Sequence, residues 1–450
     1  MYELGDIIVA VATAPGEGGV GIVRLSGAGA IAMATRVYSG SRPIPQRRAF
    51  LHGTFCDPTN GETLDEGLLL VMPGPHSYTG EDVVEFHTHG SPAVLARLTA
   101  LLVQLGARPA LPGEFTYRAF RNGRLDLPQA EAVQALVSAH GEAARRQALR
   151  QLSGGLSVHL EPLEEKLKSL YVQLEARLEF SEDGLPPLDV PAYASAVSDC
   201  RETLKKLLDS YTQGRVLRDG LVVALVGAPN VGKSSLLNAL LGSDRAIVMP
   251  QPGTTRDVVE GEMRLGGQRV RLFDTAGLRA SQDPIEEEGV KRSRRVIEEA
   301  DLVFWVLDAS NPPAGSQEAK AHPEDPRARF LVNKSDLAPD ASFGFPADRM
   351  VRLSCKTGEG IERVRDLIQN ALYKDGNEGN VILTQERHQR EISEADGALG
   401  RLQEQMAEGT THETWAEELK EAALRVGRVR GRNLPEDAFE DIFSKFCIGK

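Results

Sequence analysis

Eight consecutive residues, Gly227-Ala228-Pro229-Asn230-Val231-Gly232-Lys233-Ser234, have the composition of a phosphate cradle, and Ser235 extends it. Its glycines let backbone N–H groups curl around a polyphosphate, Lys233 meets the phosphate charge, and the Ser234 hydroxyl suits Mg2+. A strand-like run (221–226) precedes the loop and an apolar helical run with Leu236, Leu237 and Leu240 follows, the context such a loop requires. Further on, Asp274-Thr275-Ala276-Gly277 ends another strand-like run, which places Asp274 toward the metal and the Gly277 N–H toward a terminal phosphate. Asn333-Lys334-Ser335-Asp336 follows a third run. The Asp336 carboxylate can accept from N1–H and the exocyclic amine of guanine, an amine that adenine lacks. Ser354-Cys355-Lys356 follows a fourth run and can offer backbone N–H groups to the guanine oxygen. Four such segments in order, each at a strand end, imply a GTP-binding and GTP-hydrolysing domain over about 221–373.

Hydrolysis requires a positioned water. The residue after Gly277 is Leu278, which cannot orient water as the Gln of small regulatory GTPases does. No arginine finger is identifiable, although Arg256 and Arg279 lie in the two switch segments. The acidic residues Asp283, Glu286, Glu287 and Glu288 are candidates for positioning the water, and most of them read equally well as the solvated start of a helix continuing through Val296.

Elements that alternate in type must hold these segments. Strand-like runs at 221–226, 270–273, 302–307, 330–332 and 351–353 alternate with helical sequence, implying βαβ units and a mostly parallel sheet. On both sides the chain reads as helical: 130–180 with a break near 153–155, a turn at 181–187, helix resuming to 214, and later 385–406, 413–426 and 436–446. An α/β insert therefore interrupts a helical region. The first 120 or so residues read as mixed α and β, with strands at 7–11, 20–25, 68–72 and 83–86 and a helix at 92–105.

At 450 residues the chain has room for about three domains. A hydrophobic share of 41% and a charged share of 26% exclude wholesale disorder. No apolar run reaches the roughly 18 residues of a membrane span, and the N-terminus is acidic where a secretory signal is basic. Four scattered cysteines form neither a CxxC pair nor a disulfide framework, so a cytoplasmic enzyme is expected. The net charge of −12 excludes nonspecific coating of nucleic acid and leaves room for local patches. Arg145, Arg146 and Arg150 form one cluster; Arg425, Arg428, Arg430 and Arg432 form another, in which Arg425, Arg428 and Arg432 share a face if the stretch is helical. Solvated helix faces are the competing reading of both. His87 and His89 have metal-ligand spacing on a strand, but no further ligand pattern completes a site and packing is preferred.

The whole chain resembles the MnmE (TrmE) family of tRNA-modification GTPases. The resemblance is most specific at the C-terminal Phe446-Cys447-Ile448-Gly449-Lys450, at the segment from Met249 ending in Gly253-Thr254-Thr255-Arg256-Asp257, and at Pro73-Gly74-Pro75 with Tyr78-Thr79-Gly80-Glu81-Asp82. It implies an N-terminal α/β tetrahydrofolate-binding and dimerisation domain (1–119), a helical domain in two parts (120–219 and 376–450), and a P-loop G domain (220–375) inserted between them. It also implies that Asn230, Met249, Gln251 and Thr254 ligate K+, that Thr255 joins Ser234 on Mg2+, and that Met249, Thr254 and Thr255 contact GTP. K+, completed when two G domains meet, would then replace the arginine finger. Glu286 matches the family's water-orienting acid, and Ala280 stands where the family commonly has an acidic residue, just after the Leu278-Arg279 pair. Arg24, Glu85, Arg124 and Lys450 match a folate pocket for a 5,10-methylene or 5-formyl tetrahydrofolate; Arg124 stands where family members often have Lys.

For Cys447 the resemblance implies a cysteine needed for tRNA modification. An incidental thiol is an alternative, and a lipidation box is disfavoured by the terminal Lys. The family's activity is the addition of an aminomethyl or carboxymethylaminomethyl group at C5 of the wobble uridine. It is carried out by a homodimer that forms a heterotetramer with an FAD- and NADH-using MnmG (GidA)-like partner. Two other classes fit the G domain: a ribosome-assembly GTPase, which would carry a basic RNA-binding domain, and a regulatory switch without covalent chemistry.

Overall fold

The computed structural model describes residues 2, 4–179, 186–242, 261–274, 295–311, 324–339, 343–372 and 383–449. The chain divides into two compact units. One comprises 1–138, 148–204 and 390–450, and the other 139–147 and 205–389.

The first unit carries a seven-stranded sheet. Its strands are β1 (Ile8–Val11), β2 (Gly18–Ser26), β3 (Tyr38–Ser39), β4 (Ala49–Cys56), β5 (Thr63–Met72), β6 (Val83–Gly90) and β7 (Arg108–Pro109), in the order β3-β4-β5-β6-β2-β1-β7. Side chains alternate across the pleat. One face, with Val23, Leu25, Leu69, Val71, Val84 and Phe86, is buried against helices Ala30–Val37 and Pro92–Gln104. The other face receives Arg24 and Glu85, which stand directly opposite each other in the β2–β6 register, with Ile22 opposite His87. Strand β4 and the helices Ala30–Val37 and Glu114–Arg121 are additions to the sequence expectation, and β6 runs four residues beyond the expected end at Phe86.

Helices complete this unit. Helix Leu127–Val137 begins in a reciprocal cap, with Gln129 N donating to Asp126 Oδ1 and Asp126 N to Gln129 Oε1, both at 2.9 Å. Helix Gly155–Glu179 buries Leu156, Leu160, Leu163, Leu167, Leu170 and Leu174 and packs on helix His412–Val429. Removing a leucine such as Leu167 from that seam costs about 2–5 kcal/mol. The expected helix from 130 has a second break at 138–141. Helix His412–Val429 stops before Arg432, so Arg432 does not share a helical face with Arg425 and Arg428. Helix Glu436–Phe443 ends three residues earlier than expected, and its Phe439 and Phe443 join Phe446, Tyr117, Phe120 and Leu127 in an aromatic cluster.

The second unit holds a six-stranded sheet: β8 (Leu221–Val226), β9 (Gly261–Leu265), β10 (Gln268–Asp274), β11 (Leu302–Asp308), β12 (Ala328–Asn333) and β13 (Met350–Arg352), ordered β13-β12-β11-β8-β10-β9. All neighbours are parallel except the edge pair β9–β10. Every residue of β8 and β11 is buried, as central parallel strands covered on both faces must be. Two apolar layers do the covering. One holds Leu236, Leu240, Val364 and Ile368; the other holds Ala300 and Phe343, clustered with Trp305 and Phe330 of the sheet. With the sheet thus buried, its polar chemistry is left to the carboxyl ends of the strands.

Candidate functional site

The ends of β8, β12 and β13 converge on one cavity of about 570 Å3, lined by Asn230, Gly232, Lys233, Ser234, Ser235, Asn333, Lys334, Asp336, Ser354, Cys355 and Lys356, with Leu337. Val231 is buried just behind them. Residues 230–235 and the two base segments are thus neighbours in space, although Asn230 and Lys334, which touch, are 104 residues apart in sequence.

The loop is held from beneath. Asn333 Nδ2 donates to the Val231 carbonyl at 2.9 Å, and Cys355 N donates to Asn333 Oδ1 at 3.1 Å. Gly232 has φ +101°, and a Cβ there would stand 2.1 Å from Asn333 Nδ2, so only glycine lets the loop close on the base segment. The Lys233 ammonium, almost fully buried, donates to the carbonyls of Gly227 (2.9 Å) and Ala228 (3.1 Å), which aims it across the mouth of the loop. Ser354 Oγ donates to Asp336 Oδ1 at 2.7 Å, fixing one oxygen of the carboxylate and leaving the other for a ligand. Burial pushes the Cys355 thiol up to about 11, while its backbone N–H is the one held by Asn333 Oδ1.

At the end of β10, Asp274 Oδ2 accepts from Ser234 Oγ at 3.1 Å, while Oδ1 is buried with no hydrogen-bond partner among the described residues. A buried, unpartnered carboxylate oxygen beside a hydroxyl is a donor set for a hard divalent cation, so these residues fit Mg2+. The expected contacts Thr275, Ala276, Gly277, Met249, Gln251, Thr254, Thr255 and Glu286 lie outside the described residues, as does Lys450.

A second constellation lies on the open face of the first unit's sheet. Arg24 Nε donates to Glu85 Oε1 at 2.8 Å, and Arg24 Nη1 to the Gly449 carbonyl at 3.0 Å. His87 Nε2 lies 3.2 Å from Glu85 Oε2. The Arg24 guanidinium sits 5.7 Å from the Tyr78 ring centroid and 5.6 Å from that of Phe115, within cation–π range of both. Burial pushes the Tyr78 phenol up, and its hydroxyl meets Thr116 Oγ1 at 2.8 Å. Arg124 is exposed and borders Gly80, in the loop that carries Tyr78. Sequence reasoning missed Tyr78 and Phe115 as neighbours of Arg24; Tyr78 was visible in its motif, whereas nothing in the sequence marks Phe115.

Cys447 is exposed, and its carbonyl accepts from Gly113 N at 3.4 Å, two residues from the Gly449 carbonyl that Arg24 holds. Neither strand histidine is packed away. His87 faces Glu85, and His89, largely exposed, pairs with Asp65 at 2.8 Å; among the described residues no group of three His, Cys, Asp or Glu could hold a metal.

Comparison with known proteins adds to this geometry. Residues 7–124 match the family model for the GTP-binding protein TrmE N-terminus, and residues 127–447 match that for the MnmE helical domain. The chain is 43% identical over 453 residues to a tRNA modification GTPase MnmE of Thermus thermophilus, covering 100% of both chains. It is 42% identical to the tRNA modification GTPase MnmE of Aquifex aeolicus, covering 98% of this chain and 99% of that one. Among solved structures, the G domain of the T. maritima FeoB iron transporter is 31% identical, with 34% of this chain and 98% of that chain covered at a TM-score of 0.27. Two matched models and full-length relatives above 40% identity place the chain in the MnmE family.

Proposed function

We propose that this chain is a GTPase that acts in tRNA modification. The observation that carries the reading is the convergence of the phosphate loop, Asp274 and both base segments at the ends of parallel strands, in a chain whose full-length relatives are named tRNA modification GTPases. GTP lies with its phosphates at residues 230–235 and its base between Asn333-Lys334, Asp336 and Ser354-Cys355-Lys356. Ser234 and Thr255 hold Mg2+, whose charge neutralises the phosphates. Asn230, exposed and without a side-chain partner among the described residues, holds K+ together with Met249, Gln251 and Thr254. Glu286 orients the attacking water, which answers the absence of a Gln at Leu278. Hydrolysis is completed when two G domains of a homodimer meet, and it drives their closing and opening.

The Arg24–Glu85 pair, with Arg124 and Lys450, binds a tetrahydrofolate derivative that supplies a one-carbon unit. Glu85 suits the amide and amine donors of a pterin, and Arg124 and Lys450 suit the folate carboxylates. In the cytoplasm, an FAD- and NADH-using partner of the MnmG kind joins the homodimer in a heterotetramer. Together they build the aminomethyl or carboxymethylaminomethyl group at C5 of the wobble uridine of certain tRNAs. The domain division follows at 119, 219 and 375. Cys447 takes part in this chemistry beside the folate pocket. The test is nucleoside mass spectrometry of tRNA from cells whose only copy carries Cys447→Ser: the C5-modified wobble uridine should disappear. An unchanged nucleoside profile would remove Cys447 from the reaction and leave a regulatory GTPase.

A further inference from the structure

Asp308, the last residue of β11, belongs to none of the four nucleotide segments and does not line the cavity. It is 8% exposed. Its Oδ1 accepts from Ser310 N at 2.9 Å and from Ser310 Oγ at 2.6 Å, which fixes the rotation of the carboxylate. Its Oδ2 accepts from Lys334 Nζ at 2.5 Å, and the same ammonium donates to the Asn230 carbonyl at 2.9 Å. Next to it, Ala309 N donates to the Asn333 carbonyl at 2.9 Å, tying this strand end to the base segment.

Lys334 and Asn230 are both non-glycine residues with left-handed backbone, at φ 62° and 65°. L-residues keep that conformation only where their surroundings fix it. The Lys334 ammonium joins the two. A lysine stem has many rotamers, and this side chain is one-third exposed, so a single carbonyl would hold it weakly. A buried carboxylate already locked by Ser310 holds it far better, because a charge-assisted hydrogen bond is roughly twice as strong as a neutral one. Burial alone would raise the Asp308 carboxyl, but the hydrogen bonds from Lys334 and Ser310 outweigh it and hold the group below the usual carboxylate range. The carboxylate is therefore charged at neutral pH.

We propose that Asp308 is a positioning residue for guanine-nucleotide binding, holding Lys334 at the base side of the cavity and, through Lys334, the Asn230 carbonyl of the phosphate loop. It touches no nucleotide itself. The proposal rests on the reading of the cavity as the GTP site. It acts on the guanine side, so GDP and GTP should be affected alike.

The test uses the full chain and fluorescent (mant) GDP and GTP. Asp308→Asn keeps the shape and an oxygen for Ser310 but offers the ammonium no negative charge; affinity for both nucleotides should fall about tenfold, the scale of one charge-assisted hydrogen bond. Lys334→Met, measured alone, should also weaken binding. In the Lys334→Met background, Asp308→Asn should add less than about twofold, since the residue acts through a side chain already gone. A merely structural Asp308 would lower the melting temperature and weaken binding equally in both backgrounds. Wild-type-like affinity in Asp308→Asn, or a full tenfold loss on top of Lys334→Met, overturns the proposal alone. Wild-type protein that binds neither nucleotide overturns the nucleotide reading itself and the proposal with it.

Discussion

On the proposed reading of the cavity, base selection rests on one exposed carboxylate, Asp336, with one oxygen already committed to Ser354. Ser354 Oγ donates to Asp336 Oδ1, which restrains the rotation of the carboxylate. Guanine presents two donors on one edge, and an acceptor-only side chain matches both. Asp336→Asn replaces one acceptor with an amide donor, which then faces a donor of guanine. GTP affinity should drop by at least about 100-fold, since a site built for hydrogen bonds rejects a mismatched partner steeply. Xanthine carries an acceptor where guanine carries its amine, so XTP should gain as GTP loses. Competition of GTP, XTP and ATP against a fluorescent guanine nucleotide measures the ranking, and an unaltered order would take Asp336 out of base recognition. The residues of this site were legible because they come as contiguous segments at strand ends. Asp308 was not, because a lone Asp closing an apolar strand carries no spacing that distinguishes it from a turn former.

Among the elements, the parallel strands of the second unit were the plainest in the sequence, since burial on both faces makes them continuous apolar runs. Strand β4 was obscure for the opposite reason: it is half-exposed, with Phe50 on the open face at 75% exposure, and its alternation is interrupted by Gly53. The seat of the C-terminal segment was also invisible, because it depends on two distant glycines. At Gly113, φ +68°, an added Cβ would lie 2.6 Å from the Phe443 carbonyl oxygen; at Gly449, φ +94°, it would lie 2.3 Å from that of Val11. Left-handed backbone alone costs an L-residue about 1–2 kcal/mol, and the contact with Val11 adds to it. Gly449→Ala should therefore unseat the tail from β1 and Arg24 while the aromatic cluster around Phe443 still anchors the preceding helix. Tryptic cleavage after the exposed Lys445, followed by mass spectrometry, should run several-fold faster than in the wild type. Equal cleavage rates would show that the tail does not depend on this glycine.

On the scale of the molecule, a chain of net charge −12 has to account for contact with a polyanion. Its arginine clusters are the natural candidates, and the structure shows much of their charge already spent internally. Arg425 pairs with Glu391, Glu394 and Glu421; Arg430 pairs with Glu161 and Glu164; Arg432 pairs with Glu164; Arg145 and Arg146 share Glu142. A cation held by a neighbouring carboxylate releases few phosphate counterions, whereas each phosphate neutralised contributes about 0.7–0.9 to the salt dependence of binding. Arg430 is largely buried against Glu164, so its loss strands a carboxylate rather than a phosphate contact. The double variant Arg430→Gln, Arg432→Gln should accordingly lower the melting temperature but leave the slope of log affinity for tRNA against log salt unchanged. Two lost phosphate contacts would instead flatten that slope by roughly 1.4–1.8. If the slope does flatten so, these arginines leave their glutamates to hold tRNA and the acidic chain supplies its own polyanion surface. If it does not, the cationic surface for tRNA lies elsewhere on this chain or on the proposed FAD-using partner.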